Sequence, residues 1–280
     1  MHNCSSQKFE LRLTEYLDRH NHITDEGYEL LNHAITEVLK HAEEFQCEEI
    51  LAFATSAIRE ANNGNEIIEK LQKTHEIDLQ ILSGDEEAQL TFLAARRWLG
   101  WSSGRLLVLD IGGGSLEMAV GNDESASSTL SLPIGAGRMT REFLTGDPYT
   151  GKSIKALTQF SREQISQSVS GELLLHQADR IVATSKTFRT LARLTDHWYS
   201  DSAKTLEHSA LVAAIEKLKD LSNSQRAALP GVSASRAKQL LAGAIVAEAV
   251  MSHLKIDEVE ICPWALREGI VLKWLDWMEK

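Results

Sequence analysis

The sequence predicts an α/β protein built in two halves, and three observations carry that expectation. Short apolar runs rich in β-branched residues alternate with longer stretches whose apolar positions recur at helical spacing. Strand-like runs early in the second half follow one another through glycine turns, whereas those of the first half are separated by helices. Between the halves a helical stretch ends in "RRWLG", with cations in its last turn and a glycine at its stop. That places a boundary near residue 100 and gives domains of residues 1–99 and 100–280.

Each element has a local reason. Alternation in "FELRLT" predicts a strand over residues 9–14, and Thr24 caps the helix "DEGYELLNHAITEVLKHAEEF", with Asp25 and Glu26 favourable in its first turn. "EILAFAT" (49–55) reads as a buried strand, "NEIIEKLQKTH" (65–75) as a helix and "DLQILS" (78–83) as a strand. A helix then runs from about Glu86 to Gly100. "GRLLVLDIG", "LEMAVG" and "TLSLPIG" form a meander or hairpin set. Helices follow at about 136–145 and 152–169, a strand at 179–185, a helix at 186–198 and a mostly helical region at 207–254. Within that region "LLAGAIVAEAVM" is interrupted by Glu248 and too short to span a bilayer, so it reads as a buried helix. The strand "EVEICPW" leads into a last helix, "ALREGIVLKWLDWMEK".

Composition narrows the function. Hydrophobic residues make up 43% and charged residues 25%, ordinary usage for a folded chain. A net charge of −11 argues against nonspecific binding to nucleic acid or to an anionic membrane. No cationic start leads into an apolar stretch, so the expected compartment is the cytoplasm. Cys4, Cys47 and Cys262 share no metal-like spacing and suggest no disulfide framework, and the histidines, His20 and His22 included, read as solvated.

Four strand-to-helix or strand-to-turn junctions carry chemistry. In "LVLDIGGGSLEM" an aspartate ends a strand before Gly112, Gly113, Gly114 and Ser115. An isolated GGG reads first as a hairpin turn, but glycines also let backbone N–H groups converge on an oxyanion. A hairpin here brings Asp110 and Glu117 beside the turn, and two acids beside a phosphate require a bridging Mg²⁺. In "ATSAIREANN", Arg59 is either a phosphate clamp or a surface residue on a capped helix. In "SGDEEAQL", Asp85, Glu86 and Glu87 open a helix and suit its dipole. In "ATSKTFRTLARL", Thr184, Ser185, Lys186 and Arg189 offer hydroxyls and cations at a helix start, as an anion site or a cap.

The order of these motifs, closed by "CPWALREGI", resembles the exopolyphosphatase and guanosine pentaphosphate phosphohydrolase (Ppx/GppA) family over roughly residues 9 to 275. The wording is most similar to the short two-domain actinobacterial exopolyphosphatases. The resemblance implies two ribonuclease-H-like domains of the actin, Hsp70 and acetate kinase superfamily, closing on phosphates in a cleft. It implies that Glu87 is the general base that activates water, with Glu86 in that role if the register is off by one. Asp110 and Glu117 then hold Mg²⁺ and position the water, Gly112 to Ser115 form the second phosphate loop, Arg59 binds phosphate, and the "ATSKTFR" turn with Ser185 faces phosphate or nucleotide. Charge alone adds Lys186 and Arg189 there. A wider basic path is drawn from Arg59, Arg96, Arg97, Arg138, Arg141, Lys186, Arg189, Arg193 and Arg267.

Against the family pattern the sequence begins after the opening strand, the first phosphate loop and its hairpin partner. The expectation is an N-terminally truncated first domain with an open sheet edge, explained either by a start placed downstream of the native one, the preferred reading, or by a natively short and impaired protein. The implied reaction is Mg²⁺-dependent removal of terminal phosphate from inorganic polyphosphate. Alternatives are pppGpp 5′-phosphohydrolysis, a non-catalytic polyphosphate or alarmone (guanosine penta- or tetraphosphate) sensor, and a kinase of the same superfamily. A homodimer is the oligomer to test, and the final helix is expected to pack back on the first domain.

Overall fold

Thr24 ends an extended segment and its hydroxyl accepts a bond from the Gly27 N–H, so α1 (Asp25–Glu44) begins where its cap requires. In the computed structural model, residues 9, 11–199 and 204–278 are described. The chain forms two compact units divided between Ser83 and Gly84.

In the first unit α1 is followed by β1 (Ala52–Ala54), α2 (Ser56–Arg59), α3 (Gly64–His75) and β2 (Leu79–Ile81). β1 and β2 pair in parallel with Phe53 opposite Gln80, and Tyr28, Leu31, Ile58, Ile67 and Leu71 fill the core. The Asn63 amide accepts from the Ile23 N–H and donates to the Ile23 carbonyl, which fastens the segment before α1 to the start of α3.

The strand expected at 9–14 is not formed. Arg12 adopts a left-handed conformation and Leu13–Tyr16 make one 3-10 turn, while Glu10 lies outside the described residues. The alternation is spent on packing: Leu11 and Leu13 join the unit's core, without a ladder partner among the described residues. An apolar groove of about 450 Å³, lined by Phe9, Leu11, Val38, Ile50, Leu51 and Phe53 among others, opens beside β1.

The second unit begins with α4 (Gly84–Leu99), which differs from the boundary expected near residue 100. Packing explains the difference: Ala88, Phe92 and Ala95 of α4 are buried against one face of the large sheet, so the helix belongs to that layer. The sheet contains β3 (Leu106–Ile111), β4 (Leu116–Gly121), β5 (Ser128–Leu132), β6 (Arg180–Ala183), β7 (Thr205–Glu207) and β8 (Glu258–Ile261), in the order β5-β4-β3-β6-β8-β7. β5, β4 and β3 run antiparallel, β3, β6 and β8 are mutually parallel, and β7 closes the edge antiparallel to β8. β7 was not read from the sequence, where Thr205–Glu207 run directly into the helical stretch that begins at His208.

Period-two alternation sorts the strands into two faces. Leu106, Val108, Ala119 and Val182 face α4, whereas Leu107, Leu109, Ile111, Leu116, Met118 and Val120 join the larger core on the opposite side. That core is built with α5 (Ala136–Phe143), α6 (Gly151–Ser168), α7 (Gly171–Leu174), α8 (Ser185–Tyr199), α9 (His208–Lys219), α10 (Asn223–Ala227) and α11 (Ala234–Leu254). α11 carries the apolar run around Glu248 and is buried on nearly every side over its second half, as expected. Among the described residues no helix is long and apolar enough to cross a membrane.

The last helix, α12 (Leu266–Met278), packs on α4. A Cβ on Gly269 would lie 2.0 Å from the Leu90 carbonyl oxygen, so only glycine allows this approach. Arg97 locks the contact with bidentate bonds to both Glu124 and Asp276. The final helix is expected from sequence on the first domain, residues 1–99; α4 lies in that range but belongs to the second unit.

Candidate active site

The β3–β4 hairpin puts Asp110 directly opposite Glu117. Residues so paired have Cβ atoms about 5 Å apart, close enough for like charges to repel. The row continues on both sides. Ser131 lies opposite Glu117 on β5 and its hydroxyl donates to Glu117 Oε1 at 3.0 Å, while the Thr184 hydroxyl after β6 donates to Asp110 Oδ2. Four polar residues thus cross the sheet at the carboxyl ends of β3 and β6, where open α/β sheets place ligands.

α4 lies over this face and supplies a third acid. Glu87 is buried at 7% exposure, and its charge acts on Glu117; Glu86 beside it is exposed. Helical geometry decides between them, since adjacent residues point about 100° apart. Thr129 bonds Asp85, and Gln89 exchanges bonds with Ala126, which hold the first turns of α4 along the β5 side of the sheet.

Crowding of carboxylates appears in their acidities. Burial, then the charges of Asp110 and Glu87, push Glu117 up to about 8 against the opposing bonds from Ser115 and Ser131. Burial pushes Asp110 up to about 6, opposed by the Thr184 hydroxyl and the charge of Arg189. Groups shifted this way in a cluster are characteristic of functional sites.

The glycine loop has a defined orientation. The N–H groups of Gly135, Ala136 and Arg138, at the start of α5, donate to the carbonyls of Gly114, Gly112 and Gly113 at 2.9–3.0 Å. In a trans peptide the N–H points opposite its carbonyl. The N–H groups of Gly113, Gly114 and Ser115 therefore face away from α5, and none has a backbone acceptor among the described residues. A Cβ on Gly113 would meet nothing within 4 Å, so protein atoms leave the space beside it open. This is the geometry of an anion cradle.

Gly135, which sequence reasoning missed, is the glycine that packing requires. A Cβ there would lie 2.3 Å from the Ser115 nitrogen and 2.4 Å from the Gly114 carbonyl carbon. Gly135→Ala is expected to cost about 1–3 kcal/mol through overpacking and to weaken inorganic phosphate binding, whereas Gly113→Ala keeps the parent Tm. Thermal unfolding and phosphate titration of the two variants check this.

Other expected site residues are placed differently. Ser185, at φ 60, opens α8 in the left-handed region and its hydroxyl accepts from Phe188 N–H at 3.4 Å, so it acts as a cap. Lys186 is exposed on the first turn, and Arg189 lies one turn on with its Nε donating to the Ser185 carbonyl. Arg59 belongs to the first unit, where it donates to the Leu82 carbonyl at 2.8 Å and pairs with Glu60. The wider basic path loses members to internal partners, Arg138 and Arg141 both pairing with Glu142 at 3.8 and 3.4 Å. Arg96 is buried among the carbonyls of Gly104, Gly121 and Asp123, Arg97 is held by two acids, and Arg267 pairs with Glu268. Ser131 was also missed: it sits in an alternating strand, but only the register brings it to Glu117.

Buried acids beside an N–H cradle suit hydrolysis of a phosphoanhydride, and comparison with known proteins assigns the chain to that class of enzyme. A model of the Ppx/GppA phosphatase family matches residues 1–278. Exopolyphosphatase 1 of Mycobacterium tuberculosis is 46% identical over 276 residues, covering 97% of this chain and 80% of the relative. A crystal structure of an exopolyphosphatase-like protein superposes with a TM-score of 0.85 at 24% identity, over 96% of this chain and 90% of that one. The Aquifex aeolicus Ppx/GppA family member superposes at 0.75 with 24% identity, over 96% and 87%. The chain belongs to the Ppx/GppA phosphatase family, and its α/β fold is the one those structures share.

Proposed function

We propose that this protein removes the terminal phosphate of inorganic polyphosphate as orthophosphate, in a Mg²⁺-dependent reaction carried out in the cytoplasm. The observation that supports it most is the convergence of Glu87, Asp110 and Glu117 beside the open N–H side of residues 113–115. The name of the mycobacterial relative supports the choice of substrate.

In this reading the cradle N–H groups of Gly113, Gly114 and Ser115 hold the oxygens of the terminal phosphoryl group, donating where negative charge accumulates. Glu87 accepts a proton from the attacking water. The bond from phosphorus to the bridging oxygen breaks, and that oxygen leaves with the electron pair on the shortened chain. Ser131 and Ser115 fix the Glu117 carboxylate, and Thr184 fixes Asp110. Arg59 is proposed as a phosphate-binding residue.

Asp110 and Glu117 fit Mg²⁺. Burial raises the pKa of both, and for Glu117 the charges of Asp110 and Glu87 add to it, against the hydroxyls of Thr184, Ser115 and Ser131 and the field of Arg189. Among the described residues no cluster of three or more metal-ligating side chains is present. Mg²⁺ needs none, because it is commonly held by one or two carboxylates with waters and substrate phosphates. When bound, the ion supplies charge neutralisation for the phosphoryl oxygens.

Phosphate release from long-chain polyphosphate and from pppGpp, each with Mg²⁺ and with chelator, tests the proposal. The expected result is Mg²⁺-dependent release from polyphosphate at higher kcat/KM. Faster release from pppGpp reverses the substrate assignment, and release from neither removes the hydrolase reading in favour of a sensor.

A further inference from the structure

The helix that starts beside the acids carries two arginines to which the reaction described above gives no substrate contact. Arg189 and Arg193 lie one turn apart on α8, about 5–6 Å along its axis. Each folds back along the helix: Arg189 Nε donates to the Ser185 carbonyl at 3.0 Å and Arg193 Nε to the Arg189 carbonyl at 3.2 Å. Neither forms an ion pair with a described carboxylate, in a chain with 40 acids to 29 bases. Like charges one turn apart repel, so intrinsic helix stability does not account for the pair.

Position and preorganisation point to a ligand. The charge of Arg189 is felt by Asp110, so the row starts at the candidate active site, and Arg193 extends it one turn further. Gly231, at φ 76, brings the turn after α10 against the Arg193 stem, where a Cβ would contact its Cβ and Cδ at 3.7 Å. The arginine is thus confined along its stem but exposed to solvent. A guanidinium held this way keeps its outer N–H groups for a multivalent oxyanion at little entropic cost.

We propose that Arg189 and Arg193 form a distal anion subsite for the inner phosphate groups of a linear polyphosphate whose terminal group occupies the glycine cradle. Arg193 then sets the preference for long chains over short ones. The subsite rests on the polyphosphate reading above, and the test separates the two.

Equilibrium binding is measured on the full chain in a Glu87→Gln background, which removes turnover, with long-chain polyphosphate and with tripolyphosphate as probes. Adding Arg193→Gln is expected to weaken long-chain binding about tenfold, the scale of one lost charge-assisted contact, and tripolyphosphate binding less than twofold. Arg193→Lys recovers most of the long-chain affinity. Equal losses for both probes, no loss for either, or no binding of either probe before the change at Arg193 would overturn the proposal. Phosphate release by the unsubstituted protein reads the other question. Chain-length-selective binding without release retains the subsite and removes the hydrolase reading, and release unaffected by Arg193→Gln does the reverse.

Discussion

Glu87→Gln is expected to lower kcat for phosphate release by about 10³-fold, near the middle of the range for a lost general base. The amide keeps the shape and most of the packing of the buried side chain but cannot accept the water's proton. Because the group acts in the transition state, kcat should fall while KM changes little. Glu86→Gln is the internal control: its side chain is exposed, and activity should stay within about twofold, as for an ordinary surface substitution. Stability gives an independent readout. Glu87 contributes charge that raises Glu117, so its removal should leave Tm unchanged or higher. Equal losses in the two variants, or a drop in Tm large enough to explain the lost activity, would remove Glu87 from the role of base.

The second large effect concerns pH. Glu117 is displaced upward from its ordinary 4.5 to about 8, so between those values the folded protein holds a proton that the unfolded chain has released. Stability therefore decreases as pH rises from about 4.5 to 8, and Asp110 adds a smaller loss between 3.8 and about 6. At ~1.4 kcal/mol per unit, the Glu117 contribution is on the order of 5 kcal/mol. Metal-free protein should lose roughly 5–10 °C in Tm across this window. Glu117→Gln removes most of that slope: the variant should melt higher than the parent at pH 8 and near it at pH 5, where Glu117 is already protonated. Added Mg²⁺ should stabilise the parent more at pH 8.5 than at pH 6, because protons and the ion compete for the same carboxylates. The variant should lose that pH-dependent stabilisation, and calorimetry across pH measures all three effects.

Much of the site was legible along the chain because its chemistry is local. Aspartate, glycines and glutamate occupy eight consecutive residues at the end of a strand, and a hairpin through them can bring the acids to one face. Cap and dipole signals placed α4 and α8 close to their observed starts. What could not be read were contacts between distant segments. Gly135 looks like any turn glycine until α5 is folded under the loop, and Ser131 becomes a ligand of Glu117 only through the β4–β5 register. The same holds for arginines: Arg96 and Arg97 resemble Arg189 and Arg193 in sequence, yet the first two are consumed by carbonyls and acids of remote segments.

The strand expected at residues 9–14 illustrates a different limit. Alternation reports which side chains are buried, whereas a strand also needs a neighbour to satisfy its backbone, and "FELRLT" has none among the described residues. The boundary near residue 100 differed for a related reason. A helix between two halves has signals at its ends, but the layer it joins is chosen by the partner of its apolar face, here Leu106, Val108 and Ala119.

By itself the sequence determined the α/β class, the turn chemistry and the identity of the acids, because propensity, capping and hairpin formation act over a few residues. Only the tertiary structure decided that Glu87 rather than Glu86 joins Asp110 and Glu117, which way the loop's N–H groups face, and which arginines keep their charge available. Those outcomes depend on burial and on partners far apart in the chain, and close packing selects them only once the layers are assembled.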